Sequence, residues 1–241
     1  MAVSAAAAER KRAPGGRSSR LRRTLRRVAI AVLIVLALPY AVLPIYASVN
    51  PPVTTVMIWK LFAGVPMTRS WVNLERISPH LVRAVLMAED ARFCAHGGID
   101  WVEVQNALDD NDARLRGAST ITMQTMKNLF LWSGRSWIRK GLEVPLALYA
   151  ELVLSKRRIM EIYLNVVEWD AGIYGAEAAA RRYFGAGAPS LSADQAARLA
   201  AVLPSPERRD AARPGPGTER IAQRIAARAA LSGAYVGCVL E

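Results

Sequence analysis

Cysteine is scarce in this chain of 241 residues: only Cys94 and Cys238 carry a thiol. Two cysteines exclude a disulfide framework; one bridge stays open to them in an oxidising compartment, although the count alone favours two unpaired thiols. Strand signals are few, no segment recurs at a fixed period, and no second folded domain is marked. Acidic residues are nearly missing from the start of the chain. Residues 1–27 hold nine basic side chains against Glu9 alone. That segment carries +8 of the formal net charge of +12, so the remainder is only modestly basic. Basicity concentrated in a tail is poor ground for nucleic-acid binding.

Charge is also absent between Arg27 and Lys60. An apolar run of about 20 residues can cross a bilayer as a helix. We expect a basic cytoplasmic arm at 1–27, disordered by its Ala, Arg, Ser and Gly content, and a transmembrane anchor at 28–49. The cations before the span should stay inside, leaving residues 50–241 outside, in the periplasm of a cell with an inner membrane. Tyr40 and Tyr46 suit the outer interface. The competing reading is a cleaved signal peptide with a core at Val28–Leu38; apolarity that continues past Pro39, without a clear small-residue cleavage site, favours the anchor.

The chain beyond the anchor reads as all-α. Residues 51–75 look extended or irregular, with Pro51-Pro52 and Val53–Val56. Ser78 is a natural N-cap with Pro79 at the first helical position. Leu81, Val82, Val85 and Leu86 then recur at helical spacing. Asp100 caps a short helix reaching Leu108, Asp109–Asp112 is a polar loop, and Ser119 caps a third helix. Helical patterns continue at 136–155, around 159–165, and through the Ala-rich stretches 191–203 and 218–231.

Four constellations carry chemistry. In the first, Glu89-Asp90-x-x-Phe93-x-x-His96-x-Gly98-x-Asp100, Glu89 ends an apolar helix. Burial there raises a carboxyl pKa, as a general base requires, and Asp90 and His96 can orient it. The plainer reading is a helix end with incidental acids. In the second, Arg116-Gly117-Ala118-Ser119-Thr120-Ile121-Thr122-Met123-Gln124 runs on to Lys127-Asn128. A glycine before a helix N-terminus lets an anion approach free N–H groups, and Thr120, Gln124 and Lys127 share one face. A capped surface helix is the alternative. In the third, Gly134-Arg135-Ser136-x-x-Arg139-Lys140-x-x-Glu143, both cations sit beside Glu143 on a helix. They should keep it ionised, so the two glutamates are pushed toward different roles; a surface ion-pair cluster is the bland reading. Pro145 should kink this helix. The fourth, Lys156 to Tyr163-Leu164-Asn165, reads mainly as a basic helix start that packs Ile159, Ile162 and Tyr163 into the core.

Together, in this order and spacing, the four segments resemble glycosyltransferase family 51, the peptidoglycan glycosyltransferases, over about residues 75–210. The resemblance is to the monofunctional biosynthetic members. No serine is followed three positions later by lysine and nothing follows Glu241, so the transpeptidase motifs of bifunctional members are not expected. It implies a lysozyme-like two-lobed helical domain, head and jaw, after a single N-terminal transmembrane helix. It also implies polymerisation of lipid II into β-1,4-linked strands, with inversion at C1 of the donor N-acetylmuramic acid and loss of undecaprenyl diphosphate. By the resemblance, Glu89 is the base that deprotonates the acceptor 4-hydroxyl and Glu143 the second catalytic glutamate. Ser119, Gln124, Lys127, Arg135, Arg139 and Lys140 match donor-contacting positions; Asp90, Phe93, His96, Thr120 and Asn128 complete the candidate substrate-binding set. No cofactor is required by this reading, although the family leaves room for a divalent cation, Mg or Mn, near Glu143 and the donor diphosphate. The implied partners are lipid II, the growing lipid-linked strand, the membrane, and proteins of cell-wall synthesis or division, with no nucleic acid.

Departures from the family pattern fall at Met123, where a second Gln is usual, at Met160, which replaces a Leu, and at Pro145. Two rivals share features with this reading. A wall-cleaving enzyme of lysozyme-like fold would use its glutamate as an acid and would not need the cations. A non-catalytic membrane scaffold would not need Glu89 or Glu143.

Overall fold

The computed structural model describes residues 16–109, 119–134 and 136–241. Residues 1–15 of the basic arm, residues 110–118, which include most of the expected polar loop and Arg116, and Arg135 lie outside the described residues. The uncharged run forms helix α1 (Gly16–Val42), followed by a 3-10 turn at Leu43–Ala47 that opens on Pro44. From Arg20 to Ala47 the mean hydropathy reaches 2.7, and this is the one helical span among the described residues long and apolar enough to cross a membrane. The helix begins earlier than expected. Gly16–Arg27, read as disordered, is helical because Arg and Leu, both good helix formers, dominate it.

Residues 42–241 pack as one compact unit. Its first helix, α2 (Thr55–Phe62), corrects the expectation of an irregular segment. The Thr54 hydroxyl accepts from the Met57 amide, and that cap outweighs the β-branched run around it. Next come α3 (Pro79–Glu89), α4 (Trp101–Asp109), α5 (Ile121–Phe130), α6 (Trp137–Val153) and α7 (Lys156–Val166). Helices α8 (Ala176–Phe184), α9 (Ala193–Val202), α10 (Pro216–Ala230) and the single turn α11 (Gly237–Leu240) complete the series.

These helices pack in two groups. In one, α9 lies against α3 and α10, and its buried Ala196, Ala197, Ala200 and Ala201 let the neighbouring helices come close. In the other, α5 is gripped between α6 and α7. Helix α6 continues through Pro145, which is exposed and leaves the Gly141 carbonyl without its usual N–H partner.

Short strands missed by the sequence reading join distant segments. Strand β3 (Ile173–Tyr174) pairs in parallel with β1 (Thr68–Arg69) and antiparallel with β2 (Glu168–Asp170), in the order β1-β3-β2. Gly172 is obligatory at this junction: its φ is +74°, and a Cβ would lie 2.0 Å from the Pro66 carbonyl oxygen.

The expectation of two unpaired thiols is overturned, because Cys94 and Cys238 form a disulfide across 144 residues of sequence. The count could not reveal it; the pairing depends on α11 folding back onto α7 and onto the 3-10 turn Phe93–Ala95. Val239 is fully buried in that docked segment. Chain entropy assigns a loop of this length a stabilisation of about 5 kcal/mol as an upper figure. Reduction, or the double substitution Cys94→Ser/Cys238→Ser, should therefore lower the unfolding free energy by about 2–5 kcal/mol in urea titrations. An unchanged midpoint would show that the bond contributes nothing to the fold.

Candidate active site

Helix α3 delivers Glu89 as its last residue, half-buried after the fully packed Val85 and Leu86. Ser78 occupies the N-cap position but does not cap; its hydroxyl donates instead to the Leu191 carbonyl at 2.8 Å. Burial raises the Glu89 pKa above the ordinary carboxylate range, and the neighbouring Asp90 adds to the rise. A hydrogen bond from Gln124 and the charges of Lys127 and Arg209 oppose it.

The adjacent Asp90 has a different task. Its buried carboxylate accepts from the Ile121 amide at 2.9 Å, at the N-terminus of α5. It also meets His96 Nε2 at 3.0 Å. The His96 tautomer follows from its other nitrogen: Nδ1 accepts from the Gly98 amide at 3.2 Å, so Nε2 bears the proton and donates to Asp90. Phe93 is wholly buried with the Lys156 ammonium over its ring, and Lys156 also donates to the His96 carbonyl at 2.7 Å. Asp90 lines a cavity together with Glu89, whereas Asp90, Phe93 and His96 do not line the cation-lined cavity on the Glu143 side.

The cap of α5 is Thr120, one residue later than expected. Its hydroxyl oxygen accepts from the Met123 amide at 3.1 Å and donates to the Gly98 carbonyl at 2.6 Å. This releases Ser119, whose hydroxyl accepts from Lys140 at 2.6 Å. Asp100 caps α4 as expected, through the Val102 and Glu103 amides. Asn128 is buried on α5.

On α6, capped by Ser136, Glu143 is buried and bound by both neighbours. Arg139 pairs with one carboxylate oxygen, and Lys140 Nζ lies 3.1 Å from the other. Burial, together with the charges of Arg139 and Lys127, brings the Lys140 pKa down to about 8. A cavity of about 610 Å³ is lined by Ser119, Gln124, Lys127, Arg139, Lys140 and Glu143. Glu89 faces two smaller cavities of about 250 Å³ each, both bordered by Arg228. The two glutamates do not line a common cavity, but the spaces adjoin: Ser119 borders one of the Glu89 cavities, Pro204 the other, and both border the larger one. Gln124 links them directly, donating from Nε2 to Glu89 Oε2 at 2.9 Å while lining the Glu143 side. Of the thirteen site candidates, Arg135 alone is outside the described residues.

Residues 58–230 match the family described as Transglycosylase. The chain belongs to the transglycosylase family. It is 54% identical over 225 residues to the biosynthetic peptidoglycan transglycosylase of Agrobacterium fabrum, covering 91% of this chain and 99% of that one. The protein of the same name from Brucella suis is 55% identical, covering 88% of this chain and 96% of its own. That from Rhizobium meliloti is 49% identical, covering 95% and 100%.

Within this transglycosylase, Met123 occupies no polar position. Its side chain packs with Ile99 and Ala147, and only its sulfur approaches Lys140, at 3.9 Å. The sequence reading missed the Tyr163 hydroxyl, which reaches Gln124, and the α10 arginines bordering the Glu89 cavities. A tyrosine on the core face of an amphipathic helix was the available signal, since its buried O–H must find a partner. Asp90→Ala should leave the Ile121 N–H and the His96 Nε2–H unpaired. We expect a loss of about 2–4 kcal/mol of unfolding free energy, measured by urea denaturation.

Proposed function

We propose that the protein polymerises lipid II outside the cytoplasmic membrane, with Glu89 as general base and the Lys127–Arg139–Lys140 group as the site of the donor diphosphate. The observation that carries the reading is the contrast between the two glutamates. Glu89 has a raised pKa and one neutral amide donor, whereas Glu143 is held by two cations in an adjoining cavity. In this scheme Glu89 removes the proton of an N-acetylglucosamine 4-hydroxyl as that oxygen attacks C1 of the donor sugar. The C1–O bond to the diphosphate breaks, and the leaving group departs as an anion toward preorganised ammonium and guanidinium groups.

A divalent ion fits poorly against the residues themselves. Glu143 is the single acid lining the larger cavity among the described residues, and both its oxygens are already paired. Hard cations seek several oxygen ligands. Charge stabilisation is therefore assigned to Lys127, Arg139 and Lys140, and any ion would have to arrive on the diphosphate.

The apolar helix at Arg20–Ala47 is read as an anchor with the basic arm inside, and the Cys94–Cys238 bond is the kind that persists in an oxidising compartment. Anchoring enzyme and lipid substrate to one surface raises their effective concentration.

The test is polymerisation of labelled lipid II by the detergent-solubilised protein, with and without chelator. Glu89→Gln should reduce turnover by about 10²–10⁴-fold, the usual worth of a positioned base, while the thermal midpoint stays near the parent's. Chain growth at the parental rate in that variant would remove Glu89 from the role, and release of fragments from finished peptidoglycan would favour a cleaving enzyme instead. Lys127→Ala should weaken donor use more than stability.

The pH dependence follows from the same groups. Glu89 must be ionised to accept a proton, so kcat/KM should rise as pH climbs through its raised pKa. Lys140 must be protonated to bind phosphate, so kcat/KM should fall above about 8. Lys140→Arg, charged throughout, should move the alkaline fall to higher pH; a fall that stays near 8 would exclude Lys140 as its source.

A further inference from the structure

Helix α7 presents Tyr163 fully buried against α5, with its hydroxyl 3.2 Å from Gln124 Oε1. The other end of that amide, Nε2, is 2.9 Å from Glu89 Oε2. An amide oxygen only accepts, so the phenol is the donor in this contact. Burial and the nearby Glu89 and Asp90 charges hold the phenol pKa far above its ordinary value, which keeps the proton in place. Among the described residues, Gln124 is the acceptor this buried hydroxyl has. Rotating the amide by half a turn would take that acceptor away and turn an oxygen toward the carboxylate. Donation into the carbonyl also polarises the amide and strengthens its N–H as a donor.

We propose that Tyr163 is a positioning residue for the base: by holding the oxygen of Gln124 it keeps the amide's N–H, and not its oxygen, turned toward the Glu89 carboxylate. The inference rests on the reading of Glu89 as general base and adds to it a buried residue from the segment that otherwise serves the core. The other charged groups around Glu89 are Asp90 just past α3, Arg92 and Asp100 in the segment that follows, Glu103 on α4, Lys127 on α5, Arg209 beyond α9, and Arg224 and Arg228 on α10. Substitutions at Tyr163 and Gln124 change none of them, so a shift can be traced to the Tyr163–Gln124–Glu89 line.

The experiment follows the Glu89 carboxyl by carbon NMR titration of the full-length protein in detergent, its resonance assigned by its loss in Glu89→Gln. Tyr163→Phe removes one oxygen and frees the amide to turn. We expect the Glu89 titration to move upward by about half to one pH unit, the equivalent of one weakened hydrogen bond. The acidic limb of kcat/KM should move with it. Gln124→Ala should move the titration in the same direction, and adding Tyr163→Phe to it should change nothing more. A Tyr163→Phe titration superimposed on the parent's would overturn the proposal, as would shifts that add in the double variant. If Tyr163→Phe does not fold, a fluorinated tyrosine at that position keeps the ring and strengthens the donor. It should move the titration downward, and no movement would also overturn the proposal. The carboxyl titration is read without turnover, so failure to polymerise lipid II would sink the assigned reaction and leave this result standing.

Discussion

One buried carboxylate holds the site together. Asp90 closes the end of α3 and accepts from the first amide of α5, so it ties the helix that carries Glu89 to the helix that carries Gln124 and Lys127. A carboxylate at a helix N-terminus satisfies an orphan N–H and meets the favourable end of the dipole. His96 donates to the same group and is itself fixed by the Gly98 amide. This knot ties together the two helix groups that supply Glu89 and the amide that faces it.

The site keeps Glu89 and Glu143 in opposite surroundings. Glu89 stands at an apolar helix end with one amide donor, where ionisation is discouraged. Glu143 is more deeply buried and bears two cations at helical spacing. Burying a charge costs several kcal/mol unless it is paired, which is why the deeper of the two is the one in a double ion pair. Lys127 lies between the two environments: burial and Arg139 lower its pKa, while Glu89 pulls it back up.

The features legible along the chain were those that local spacing controls. The stripe of Leu81, Val82, Val85 and Leu86, the Asp100 cap, and the placing of Arg139 and Lys140 beside Glu143 each depend on partners within four residues or on helical period. The features that escaped depend on partners far away. Strand β1 has only two residues and gains its meaning from β3, about a hundred positions later. The disulfide and the Tyr163–Gln124 contact likewise join residues 144 and 39 positions apart. Two misreadings were local. Ser119 and Thr120 are equivalent as caps by composition, and only the Gly98 carbonyl and Lys140 decide between them. Thr54 was hidden because Val53, Thr55 and Val56 favour extended backbone.

Gly98 sits at φ +95°, pressed against α6 so closely that a Cβ would fall 2.8 Å from the Ala147 carbonyl oxygen. Ala147 is one helical turn beyond Glu143, on the same face. The missing methyl therefore works as a shim of zero thickness under the helix that bears Glu143. Any side chain at 98 would lift that helix away from the loop bearing His96, widening the gap between the Glu89 and Glu143 sides of the site without altering a single group that lines either.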